Sequence, residues 1–180
     1  MDEGNTGSAL FEGGMAWLKD TYNSHHFFQE RDIVWTLHLY FLRIVEERGL
    51  PYRIFSGHRM YLDRQLSADL VIVGSDTRVD VAAEFKYEPD RRRQDLIAPN
   101  AVPKWPVVVW KDVEADVFRA KAFVLEERAR TAYSVFIDEG GYFRERTPPP
   151  GSEWRDWTPS ESSRGSLSIL WSRADVGPSI

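Results

Sequence analysis

Residues 69–87 read Asp69-Leu70-Val71-Ile72-Val73-Gly74-Ser75-Asp76-Thr77-Arg78-Val79-Asp80-Val81-Ala82-Ala83-Glu84-Phe85-Lys86-Tyr87, and this stretch decides the fold. Asp69 opens a short continuous apolar run, the pattern of a strand covered on both faces. Gly74 to Thr77 supplies turn chemistry. From Val79 to Tyr87 the chain alternates, with Val79, Val81, Ala83, Phe85 and Tyr87 on one face and Asp80, Ala82, Glu84 and Lys86 on the other. The pattern predicts a β-hairpin. With a four-residue loop, Val73 pairs with Arg78 and Asp69 with Ala82, so Asp69 lies on the Glu84 face and diagonal to it. A five-residue loop flips that register.

On the N-terminal side, Asn23 and Ser24 are suitable helix caps, and Val34, Leu37, Phe41 and Ile44 then recur at spacings of three and four until Gly49 and Pro51 stop the pattern. This predicts a long amphipathic helix. A second helix over Ala9–Tyr22 is weakened by Gly13 and Gly14, and Tyr52–Leu62 reads as a strand. On the C-terminal side, Glu88–Trp105 is a polar connection and a helix runs from about Asp112 to Arg130. Its stripe is Val113, Val117, Ala120 and Val124, with Glu114 and Asp116 in its first turn. Thr131–Ile137 is a strand, residues 146–165 are a Pro/Ser/Gly-rich connection anchored by Trp154 and Trp157, and Leu167–Trp171 is a last strand. The expectation is one α/β domain over 1–180, with its core at 24–145 and a C-terminal strand and tail at 166–180. Its mixed central sheet would have about four or five strands flanked by helices.

Composition narrows the chemistry. The 180 residues carry a formal charge of -5, so a nucleic-acid partner needs a local basic patch or a bound cation. There is no cysteine, which removes thiol nucleophiles, disulfides and Cys-based zinc sites. The acidic, polar N-terminus lacks a secretory pattern and no apolar run is long enough to span a bilayer, so a cytoplasmic location without membrane contact is expected. The sequence contains no G-x-S-x-G, G-x-x-x-x-G-K-[ST], G-x-G-x-x-G or H-E-x-x-H motif.

Three carboxylates remain. Glu84 and Lys86 leave the same face of one strand, and Asp69 joins them from the next. Carboxylate oxygens a few ångströms apart suit a hard divalent cation such as Mg²⁺. Glu30 lies four residues before Val34 and so heads the buried stripe of the long helix, where the macrodipole favours its charge. Arg91, Arg92 and Arg93 follow the Lys86 strand and either grip a phosphate backbone or form a solvated run neutralised by Glu88, Asp90 and Asp95. His26 and Glu30 are four apart, a spacing that reads here as a surface pair. Tyr22, Gln29, Trp35 and Trp110 read as packing residues, and Asp80 as a solvated residue near the hairpin end.

Asp69-Leu-Val-Ile-Val followed by Ala83-Glu84-Phe85-Lys86, with Glu30 on a preceding helix and a helix and strand following, resembles the PD-(D/E)XK nuclease superfamily. The resemblance covers residues 24 to 138, and it departs from the family pattern in having Ala68 where a proline is usual. It implies a restriction-endonuclease-like fold and a Mg²⁺-dependent hydrolysis of phosphodiesters, with Mn²⁺ able to substitute. It further implies that Asp69, Glu84, Glu30 and the Phe85 backbone carbonyl hold the metal and that Lys86 orients or activates the attacking water. DNA is the implied substrate. Two active sites are needed to cut both strands at once, which points to a homodimer. The competing expectation is an inactive nuclease scaffold that binds nucleic acid or a protein partner.

Overall fold

The computed structural model describes residues 7–93, 107–159 and 167–176. Helices α1 (Gly7–Thr21) and α2 (Glu30–Arg48) lead into strands β1 (Arg53–Arg59), β2 (Ser67–Val73) and β3 (Val79–Glu88), followed by α3 (Trp110–Leu125), β4 (Thr131–Asp138), β5 (Ser152–Asp156) and β6 (Ser168–Asp175). The strands form one mixed sheet in the order β1-β2-β3-β4-β6-β5. Only β3 and β4 are parallel, joined across α3; the other pairs are antiparallel. No described helix is long and apolar enough to cross a membrane.

The sheet is covered on both faces, which explains the near-continuous apolar runs of β2 and β4. On one side α1 and α2 pack Phe11, Leu37 and Phe41 onto Leu70, Ala83, Phe85 and Tyr133. On the other, α3 packs Val113, Val117, Ala120 and Phe123 onto the sheet beside Ala82, Ala132 and Phe136. α1 approaches α2 closely at Gly14, where a Cβ would lie 2.2 Å from the Phe41 ring. The glycine that weakens α1 as an isolated helix therefore permits its docking.

Several expectations change. α2 begins at Glu30, five or six residues later than the caps at Ser24 and Asn23 suggest, because the Asp32 carboxylate accepts from the Phe28 and Gln29 backbone N–H groups. His26 therefore lies outside the helix, and its four-residue spacing to Glu30 is not a helical pair. α3 begins at Trp110 and ends at Leu125, so Asp116 leaves the first turn and joins the sheet-facing side. Trp35 is 57% exposed and not a core residue, whereas Trp110, the first residue of α3, is partly buried against Phe143 and Trp154 and Tyr22 is fully buried. Among the described residues the sheet has six strands, because Ser152–Asp156, expected as connection, pairs with β6. Trp154 and Trp157 anchor that segment on opposite faces of the sheet. Residues 94–106, including Asp95, and 160–166 fall outside the described residues.

The hairpin register also differs. Val73 pairs with Val79, so the loop is the five-residue Gly74–Arg78, closed by the Gly74 N–H donating to the Arg78 carbonyl at 2.9 Å. That alone would turn Asp69 to the wrong face. An irregularity between Ile72 and Val73 shifts the ladder by one more residue, Leu70 pairs with Ala83, and the next step brings Asp69 level with Glu84. The same shift sends Val79 to the α3 side, and Asp80 leaves the Glu84 face to ion-pair with Arg130.

Candidate metal centre

The site forms where β3 outruns β2. Their ladder ends at Leu70–Ala83 while β3 continues to Glu88 beside β4, leaving a notch on the β2 side of residues 84–88. Asp69 fills its first position: one carboxylate oxygen accepts from the Phe85 N–H at 2.7 Å. Opposite Asp69 on β1, between the Ser56–Leu70 and His58–Ala68 pairs, Gly57 has φ +62°, a left-handed conformation that glycine adopts without strain.

Four elements meet at this notch. Glu30, at the first turn of α2, lies 3.0 Å from Lys86 Nζ. Lys86 Nζ also lies 3.0 Å from Asp116 Oδ2 and donates to the Phe85 carbonyl at 3.2 Å. On α3, one Arg119 Nη bridges Glu84 Oε2 at 2.6 Å and Asp116 Oδ1 at 2.8 Å. Asp69, Glu84, Lys86 and Glu30 thus come together, and the Phe85 backbone joins them through both its N–H and its carbonyl. Asp116 and Arg119 are additions from α3. The signal for Asp116 is its position three residues after Val113 and four before Ala120, on the apolar stripe itself.

Four carboxylates share this cluster with two cations, and burial makes that imbalance costly. Glu84 is 2% exposed, and desolvation, reinforced by the Asp69 charge, pushes its carboxyl up to about 8 against the pull of Arg119. Desolvation likewise raises Asp69 against the stabilising Phe85 N–H, Asp116 against Lys86 and Arg119, and Glu30 against Lys86. Burial alone would lower Lys86, but Asp116 and Glu30 outweigh it and its pKa rises. Lys86 is therefore a fixed ammonium in this state, suited to orienting a nucleophile or balancing charge and not to accepting a proton.

Among the described residues, no three His, Asp or Glu side chains stand arranged to hold a metal ion. The donor set nonetheless fits one. Among the described residues, Glu84 Oε1 is buried without a hydrogen-bond partner, carboxylates exceed cations, and all donors are hard oxygens of the kind Mg²⁺ prefers. Two grooves open beside the cluster and share Glu30 and Arg31. One, of about 410 Å³, reaches from Asp69 to Trp35 and Gly57; the other, of about 350 Å³, runs along Lys86 to Val108 and Asp112.

The three arginines after β3 each face a carboxylate. Arg91 pairs with Glu88, Arg92 with Asp90 at 2.9 Å, and Arg93 with Glu139 at 2.7 Å. Arg91 and Arg92 stay at the surface, whereas Arg93 is buried. Glu88, expected among solvated neutralising residues, is fully buried and also accepts from the Val108 N–H at 2.9 Å. It thereby fastens the chain entering α3 to the end of β3. Compared with known protein families, characterised proteins and solved structures, the chain matches none.

Proposed function

We propose that this chain is a Mg²⁺-dependent phosphodiester hydrolase of the PD-(D/E)XK nuclease kind, with a restriction-endonuclease-like core, acting on DNA in the cytoplasm. The observation that carries the reading is the convergence of Asp69, Glu84, Lys86 and Glu30 at one notch, with a buried Glu84 oxygen left unpaired. Bound there, Mg²⁺ or Mn²⁺ would polarise a phosphoryl oxygen and acidify a water. Asp69, Glu84 and the Phe85 carbonyl would hold the cation. Asp69 is kept in place by the Phe85 N–H, Glu84 by its burial under α3, and Glu30 supplies a further carboxylate from α2. Lys86, protonated and tied to Glu30 and Asp116, orients the attacking water and stabilises charge on the phosphoryl oxygens. Arg91 and Arg92, exposed just after β3, would meet the nucleic-acid backbone.

One observation favours the second reading, an inactive scaffold that binds nucleic acid or protein: Lys86 and Arg119 already pair with the site's carboxylates. The test is incubation with supercoiled plasmid and with single-stranded DNA, in Mg²⁺, Mn²⁺ or EDTA, beside Lys86→Ala. The nuclease cuts in either metal, not in EDTA, and loses about 10²–10³-fold in rate without Lys86. Cutting that is indifferent to Lys86, or no cutting of either substrate, rejects it. Rapid linear product without a nicked intermediate would mark the homodimer, because two strands then break in one encounter.

A further inference from the structure

Lys86 and Arg119 neutralise the same cluster by different means. Lys86 is held by Glu30, Asp116 and the Phe85 carbonyl, three partners on three elements of the fold. Among the described residues, Arg119 has only Glu84 and Asp116 as ion-pair partners, and both are buried: their side chains are 2% and 3% exposed, whereas that of Arg119 is 31% exposed. The acids are closed off from solvent, whereas the arginine reaches it. Its departure alone would strand the buried Glu84 and leave Asp116 to Lys86 alone, so it requires another cation to take over that charge.

We propose that Arg119 is a displaceable stand-in for the divalent cation and, once displaced, a ligand for the substrate phosphate. This rests on the nuclease reading above. The bridge between Glu84 and Asp116 is the position of charge that a hard cation would supply, so metal and guanidinium compete for Glu84. The competition lowers the apparent metal affinity by the fraction of molecules in which Arg119 is seated. A guanidinium released at the mouth of the notch presents a planar fork of donors that matches two phosphate oxygens, which an ammonium cannot reproduce. The resting chain would thus keep its buried acids neutralised and recruit the same side chain when metal and phosphate arrive together.

The test is Mn²⁺ binding by electron paramagnetic resonance at pH 8.5 without nucleic acid, on the wild type, Arg119→Met and Arg119→Lys. Circular dichroism verifies folding. Removing the competitor in Arg119→Met should tighten Mn²⁺ binding about tenfold, with Arg119→Lys between it and the wild type. Affinity for a DNA duplex in Ca²⁺ should fall in both variants. A folded Arg119→Met that binds Mn²⁺ no more tightly than the wild type overturns the proposal, while leaving the nuclease reading intact if wild-type cutting persists. If Arg119→Met does not fold, Arg119→Lys decides by the same comparison. Absence of Mn²⁺ binding from every folded form overturns both this proposal and the reading beneath it.

Discussion

Glu84 is ionised only at a cost, because its carboxylate is buried beside Asp69 with one oxygen unpaired. Its folded pKa, about 8, exceeds the ordinary carboxylate value, so between those values the folded chain holds a proton that the unfolded chain has released. Stability from this group is complete below the ordinary value and is lost as pH rises through about 8. In EDTA the melting temperature should therefore fall from pH 5 to pH 8.5, and Glu84→Gln should flatten that slope. Asp69, Asp116 and Glu30, shifted in the same direction, would keep part of it. Mg²⁺ should restore stability most at the alkaline end, where the carboxylates are free to bind it. A melting temperature that rises over this range would contradict the electrostatic description. Glu84, Lys86 and Glu30 were legible because strand and helix periods fix which face they leave. Asp69 reaches the expected face only because the five-residue loop and the irregularity after Ile72 offset one another, two register shifts that no local pattern reveals. Asp116 escapes the sequence reading because a helix start near Asp112 puts it in the first turn, and Arg119 because it joins the notch only through its ion pairs with Glu84 and Asp116.

Among the elements, α1 shows how tertiary context overrides propensity. Gly13 and Gly14 each cost about 1 kcal/mol relative to alanine in an isolated helix, yet their surroundings differ. A Cβ at Gly13 meets nothing within 4 Å, whereas one at Gly14 meets the fully buried Phe41 ring. Gly13→Ala should raise stability by about 1 kcal/mol. Gly14→Ala should lower it by about 1–3 kcal/mol as overpacking exceeds the propensity gain. Thermal melts of both variants check the pair, and equal effects would refute the close α1–α2 crossing. The stripes of α2 and α3 and the strands β2, β3 and β4 were readable because each repeats its period over several residues. β5 was not: Ser152–Asp156 contains one large apolar residue, Trp154, and becomes a strand by pairing with β6. Such pairing is a non-local cause that composition conceals.

At the scale of the molecule, a charge of -5 and a cluster rich in carboxylates oppose the approach of a polyanion. The two surface arginines of the 91–93 run are already paired. DNA should therefore bind weakly in EDTA and more tightly by at least about tenfold in Ca²⁺, which supplies charge at the notch; fluorescence anisotropy of a labelled duplex measures this. Tight binding in EDTA would instead favour the non-enzymatic scaffold. The central claim is that Asp69 and Glu84 share a divalent cation, and crystals grown in Mn²⁺ test it most directly. The expected result is one anomalous peak with oxygens of both residues about 2.0–2.2 Å away. Saturating Mn²⁺ with no peak there, and Glu84 still paired with Arg119, would contradict it.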